Sequence, residues 1–262
     1  MEEISMIVPR QLFQACAVVL GIVLGLSAAD SNIEKPDGRV PVLLELFTSE
    51  GCSSCPPADA LLQRLDREQP LEGTKLVVIS EHVDYWNHLG WTDPYSSRIF
   101  SDRQEEYASR FDSDVYTPQL VVDGSAEVVG GNWAKAEHAI KAATGHSKMA
   151  LSINGKKQGS HALVHIQAPA KSDNESGQIY VVLASDSAQS HVTRGENKGR
   201  ELTHTAVAYY FKRIGNLSKN GGVQKDIQLE LKPGATDGST RAIVFIQKAG
   251  AGQIIGVAET RL

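Results

Sequence analysis

A nearly unbroken apolar run, Val42-Leu43-Leu44-Glu45-Leu46-Phe47, leads directly into Thr48-Ser49-Glu50-Gly51-Cys52-Ser53-Ser54-Cys55-Pro56-Pro57. This junction limits the fold more than any other feature of the chain. Runs of that kind suit a strand buried on both faces. Leu61, Leu62 and Leu65 then recur at helical spacing between Ala58 and Asp66, which predicts a helix. A strand buried on both faces and followed by a helix needs layers on either side of a sheet, the pattern of an α/β core.

The spacing of the cysteines carries the chemistry. Two sulfurs three residues apart at a helix start lie on one turn, where they can close a disulfide. The partial positive charge of a helix N-terminus favours a thiolate there. The first sulfur, on Cys52, is expected to stay exposed and attack; Cys55 is expected to resolve the mixed disulfide. Cys-x-x-Cys pairs also serve zinc, but a structural zinc site takes four ligands. A redox pair, a structural disulfide and a metal site therefore all remain open. Pro56 and Pro57 each bias the preceding residue away from helical angles. They predict a tight turn at the cysteines, with regular helix from Pro57 onward.

The chain has three cysteines, and the third bears on location. Cys16 sits in the apolar stretch Leu12–Leu26, with Arg10 before it and Ser27-Ala28-Ala29 after it. That pattern reads as a secretory signal peptide over residues 1–29, cleaved near Ala29. The competing reading, an uncleaved anchor, needs ~20 apolar residues. Cleavage leaves only Cys52 and Cys55, in a periplasmic or extracellular setting where disulfides persist. The charge balance, 26 Lys and Arg against 31 Asp and Glu, contains no basic block. Nucleic acid is thereby excluded as an expected partner.

Residues 30–40 are a polar lead-in. Beyond the first helix, Lys75–Ser80 predicts a second buried strand, 82–96 an aromatic loop, and Ser97–Phe111 a helix anchored by Ile99, Phe100, Tyr107 and Phe111. Leu120–Val122 and Glu127–Gly130 flank an Asp123-Gly124 turn, and a helix capped by Asn132 runs to about Ala143. After Gly145 the pattern becomes short alternating segments separated by Gly, Asn, Asp and Ser. These predict strands at Ala150–Asn154, Ala162–Gln167, Gln178–Ala184, Ala206–Phe211, Ile227–Leu231, Ala242–Gln247 and Ile254–Ala258. The expected organisation is an α/β domain over 41–146 and a β-rich, sandwich-like domain over 147–262.

His82, Asp84 and His88 follow the second strand at its carboxyl end, where open α/β sheets bind ligands. His82 with Cys52 and Cys55 could complete a copper or zinc site, although histidines that shape a loop look the same in sequence. Tyr85, Trp86, Trp91 and Tyr95 concentrate aromatics in one loop, either as a substrate-facing lip or as local packing. No phosphate-cradling glycine loop is present, so no organic cofactor is expected.

The segments Phe47–Asp59, His82-Val83-Asp84-Tyr85-Trp86, Gly90-Trp91-Thr92-Asp93-Pro94, Val115-Tyr116-Thr117-Pro118-Gln119 and Arg194-Gly195-Glu196-Asn197-Lys198-Gly199-Arg200 together resemble a family of exported bacterial proteins. That family is catalogued as a domain of unknown function with a thioredoxin-like fold. The resemblance implies a thioredoxin-like domain over 41–146. It implies a cis Pro118 beside the cysteines, with Thr117 presenting backbone to a substrate. It also offers Glu45 as the buried acid that serves the second cysteine, against the alternative of a polar strand position paired with an arginine or with backbone groups. The function expected is a thiol–disulfide oxidoreductase acting on protein thiols, with Tyr85, Trp86 and Trp91 touching substrate. The rival is a copper- or partner-binding protein on the same scaffold. The β-rich half is a candidate homodimer surface, and no membrane span is expected after the leader is removed.

Overall fold

The computed structural model describes residues 1–2, 38–170 and 175–262. All but the first two residues of the expected signal peptide, and most of the lead-in, fall outside them. The described chain from Gly38 onward belongs to one unit.

Strand β1 (Val40–Thr48) runs parallel to β2 (Thr74–His82) and antiparallel to β3 (Gln119–Val122), which pairs with β4 (Ala126–Val129). Alternation along β1 sends its side chains to two faces. Val42, Leu44 and Leu46 pack with α1 (Pro56–Glu68) and α3 (Trp133–Thr144). Leu43 packs on the other face with Phe100 of α2 (Arg98–Phe111), and Phe47 packs there with Tyr107. The run is apolar throughout because both sides are covered.

Local rules explain the helix ends. Ser97 and Asn132 cap α2 and α3, accepting from the N–H groups of Ile99 and Lys135. Helix α1 begins at Pro56, one residue earlier than expected, and Cys55 takes helical angles as its N-cap. The cost of prolines is small there, because first-turn N–H groups have no intrahelical partner to lose. The tight turn itself is present, closed by Cys55 N–H on the Cys52 carbonyl at 3.2 Å. In α2 the anchors are Phe100 and Tyr107, with Phe111 partly buried against Tyr107; Ile99 is half exposed.

The seven strands of the second half split between two sheets. Strands β7 (Gly177–His191), β8 (Glu201–Leu217), β10 (Thr240–Gln247) and β11 (Ile254–Arg261) extend the first sheet, giving the order β11-β10-β7-β8-β2-β1-β3-β4. The junction is a parallel contact between β2 and β8 at Ser80 and Val207. Strands β5 (Ser152–Gln158), β6 (His161–Ala168) and β9 (Val223–Glu230) form a second sheet. That sheet covers one face of β7, β10 and β11 through Val164, Ile166, Val181, Leu183 and Val244. On the opposite face Val182, Ile243 and Phe245 pack with Leu43, Val77, Ile79 and Phe100. The sandwich is thus local. The boundary expected near residue 147 lies between α3 and β5, and a shared sheet and a shared core run across it. No helix among the described residues is long and apolar enough to cross a membrane.

Candidate functional site

Cys52 and Cys55 are joined as a disulfide at the head of α1. Both are fully buried, which corrects the expectation of an exposed first sulfur. Ser54 Oγ lies 3.3 Å from Cys52 Sγ. The remaining cover comes from far along the chain. The loop between β7 and β8 folds back so that Asn197 Nδ2 donates to the carbonyls of Glu50 (2.8 Å) and Cys52 (2.9 Å). Glu196 accepts from the N–H of Ser53 at 3.1 Å, and its contacts with Ser53 hold its carboxyl below the usual range. Gly195 fits against Trp91 in a left-handed conformation, and a Cβ there would stand 3.2 Å from Trp91 Cβ. A side chain at this position would lift the loop.

The Thr117–Pro118 peptide bond is cis, the isomer expected. Pro118 reaches α1 through Gly130, where a Cβ would meet Ala58 Cβ at 2.9 Å and Pro118 Cβ at 3.2 Å. Trp86 Nε1 donates to Thr117 Oγ1 at 2.8 Å, while its Cβ abuts Gly51. Trp86 therefore ties the cysteine turn to the proline turn. Trp91 Nε1 donates to Glu50 at 2.8 Å, and Tyr85 donates its hydroxyl to Gln104 at 3.1 Å. These aromatics are partly buried, with their polar ends satisfied.

Glu45 is not brought to the cysteines. It lies on the α2 face, accepting from Arg103 Nε (2.5 Å) and the Tyr107 hydroxyl (2.6 Å). Arg103 in turn lies 3.7 Å from Glu81 and within 6 Å of the rings of Tyr107, Tyr180, Phe211 and Phe245. Burial, with Glu45 nearby, raises Glu81 well above the usual carboxylate range. The strand carboxylate paired with an arginine is the arrangement present.

His82 is fully buried and its Nδ1 is 2.7 Å from Asp93 Oδ2. Burial alone would raise Asp93, but His82 and the N–H groups of Glu50 and Tyr95 outweigh it and hold the carboxyl low. Here the two cysteines are joined to each other and His82 is engaged by Asp93. No cluster of three or more His, Cys, Asp or Glu side chains suited to a metal ion occurs among the described residues. Asp84 accepts from Ser101 and shapes the loop, and His88 is exposed.

Sequence reasoning missed a buried polar cluster built on Glu50 and Asp59, which flank the two cysteines in the chain. Glu50 is fully buried and takes hydrogen bonds from Ser190 and Trp91. His204 of β8 is 1% exposed, with Nε2 3.3 Å from Glu50 and Nδ1 3.7 Å from Asp59 of α1. Burial disfavours its charge, yet the Asp59 and Glu50 carboxylates prevail and raise its pKa to about 9. Its ring meets that of His82 edge-on at 4.6 Å between centroids. Glu50, Asp59, His82, Asp93 and Asn197 belong to four of the five segments that carry the family resemblance, and those four converge here. His204 and Ser190 had no such marker.

Fold and site together define a mixed α/β protein with a disulfide at the head of a helix, held against a buried His–carboxylate cluster. The chain belongs to the family described as protein of unknown function DUF1223, whose model matches residues 43–247. It is similar to a crystal structure of a protein from Agrobacterium tumefaciens, with 24% identity and a TM-score of 0.66 over 86% of this chain and 95% of that one. It is also similar to HBP35 of Porphyromonas gingivalis, with 15% identity and a TM-score of 0.62 over 87% of this chain and 77% of that one. At these identities the likeness is one of fold. A search of curated proteins gave no match to the chain.

Proposed function

We propose that this protein is an exported thiol–disulfide oxidoreductase that acts on protein thiols through Cys52 and Cys55. The observation that carries the reading is a Cys-x-x-Cys disulfide at the positive end of α1, with Pro118 reaching the same helix at Gly130. Strand order β2-β1-β3-β4, with α1 and α3 on one face and α2 on the other, supports a thioredoxin-like first half. Cys52 exchanges with the substrate and Cys55 resolves. Thr117 and Trp86 border the place a substrate backbone would take, once the 192–200 loop has lifted from Cys52. Export is supported by the apolar leader and by the exported setting in which disulfides commonly persist.

A structural staple is the second reading, favoured by the complete burial of both cysteines. Equilibrating the mature protein with glutathione buffers and trapping free thiols separates the two. A reduction potential between about −120 and −270 mV, the span of known oxidoreductases, is expected. A potential below about −300 mV would make the bond a staple.

A further inference from the structure

Asp59 stands four residues beyond Cys55, so the two side chains lie one turn apart on the same face of α1. Asp59 is 5% exposed and Cys55 fully buried. Asp59 Oδ1 and His204 Nδ1 each lack a hydrogen-bond partner among the described residues, and they face each other at 3.7 Å. They meet as a buried ion pair at a distance too long for a hydrogen bond, an arrangement that adds little to stability. The pair stands one helical turn from Cys55, whose sulfur takes up a proton when the disulfide opens, and that placement gives it a chemical use.

We propose that His204 and Asp59 are the proton carriers of the Cys52–Cys55 disulfide, His204 holding the proton and Asp59 passing it to Cys55. The inference rests on the redox reading of the pair. A substrate thiolate attacks Cys52 Sγ, the disulfide breaks, and its electron pair leaves on Cys55 Sγ. The proton on His204 moves through the Asp59 carboxylate to that sulfur, leaving a neutral thiol and a neutral imidazole. A second substrate thiolate then attacks the substrate sulfur of the mixed disulfide and releases Cys52 as thiolate. The substrate departs with a disulfide, the protein has gained two electrons, and His204 recovers a proton from water. In the reverse direction Asp59 removes the Cys55 proton as that sulfur attacks.

The groups around His204 come from every element packed on it. They are Glu50 before α1, Asp59 in α1, His82 at the end of β2, with Asp93 behind it, and Tyr95 in the following loop. The two carboxylates keep His204 charged at neutral pH, with its pKa raised to about 9 against the opposing effect of burial. The proton is therefore in place before the bond opens.

The test is the rate at which dithiothreitol opens the disulfide in the whole mature chain between pH 5 and 10, corrected for the thiolate fraction of the reagent. Dithiothreitol opens the bond whatever the protein's biological role, so failure here is distinct from failure of the redox reading, which the glutathione potential decides. The corrected wild-type rate is expected to fall about tenfold as pH rises through 9. His204→Gln and Asp59→Asn are each expected to be about tenfold slower at pH 7, with that inflection gone. General acid–base contributions are commonly larger than this. A His204→Gln protein that keeps both the wild-type rate and its inflection overturns the proposal. Should the variants not fold, histidine NMR titration of wild type decides. The His204 midpoint should differ by about tenfold in proton affinity between the oxidised and reduced states, and equal midpoints overturn it.

Discussion

At the residue scale, two buried charge clusters do different work on opposite faces of the sheet. Arg103, Glu45 and Tyr107 form a closed network on the α2 face, with Gln247 also donating to the Tyr107 hydroxyl. Removing one partner from such a network strands the others in a dry interior. Arg103→Leu is therefore expected to lose about 3–5 kcal/mol in urea unfolding. Glu45→Gln should cost less and leave the rate of disulfide opening by dithiothreitol unchanged; a slower opening would return Glu45 to the mechanism. His204 gives stability a pH dependence of definite sign. Its folded pKa, about 9, lies above the ordinary histidine value of 6.5. The ring therefore adds stability that is fully present below about pH 6.5 and lost as pH rises through 9, on the order of 3 kcal/mol for a shift of this size. Chemical denaturation of wild type and His204→Gln at pH 6 and pH 10 checks this. The gap between the two proteins should shrink at pH 10.

At the element scale, the β7–β8 hairpin is the feature that turns a surface disulfide loop into a closed one. The sequence predicts strands only at Gln178–Ala184 and Ala206–Phe211, yet the strands run Gly177–His191 and Glu201–Leu217. The missed extensions, such as Ser185–His191 and Glu201–Thr205, are largely polar. Apolar alternation marks burial against a core, and these segments lie instead over the polar Glu50–His204 site, so nothing in the periodicity reveals them. The tip of the hairpin delivers Asn197, which is fully buried and bridges the carbonyls of Glu50 and Cys52. Asn197→Ala removes both hydrogen bonds and should weaken the closed loop by about 1–3 kcal/mol. Opening of the disulfide by dithiothreitol, followed by thiol trapping, is then expected to accelerate about tenfold. An unchanged rate would mean that the loop does not limit access to Cys52.

At the scale of the whole molecule, the two halves of the chain share a sheet, a core and an ion cluster. Arg241 of β10 pairs with Asp66 of α1 at 2.7 and 2.6 Å and with Asp186 of β7 at 2.6 Å. Burial opposes the Asp66 charge, but Arg241 outweighs it and holds that carboxyl low. Leu43, Val77 and Ile79 lose Ile243, Phe245 and Val257 if the chain is cut after α3, and β2 loses its neighbour β8. Residues 38–146 expressed alone are expected to show no cooperative unfolding transition, whereas the mature chain should unfold in one step by far- and near-UV circular dichroism. A cooperative transition in the fragment would establish it as an independent domain.

The sequence by itself determined the local architecture of the first half. Apolar runs, helical leucine spacing, the Ser97 and Asn132 caps and the Cys-x-x-Cys turn are written in neighbouring residues, so β1 through α3 were legible to within a few positions. It also marked the segments that build the site, through Glu50, Asp59, His82, Asp93 and Asn197. Only the tertiary structure decided that the later strands would join the same sheet, that Glu45 would face Arg103 instead of the cysteines, and that His204 would lie between Glu50 and Asp59. The reason is physical. Periodicity reports which side of an element is dry, but the partner across a sheet depends on pairing between segments more than a hundred residues apart. An isolated polar residue such as His204 acquires its role only from what that pairing sets beside it.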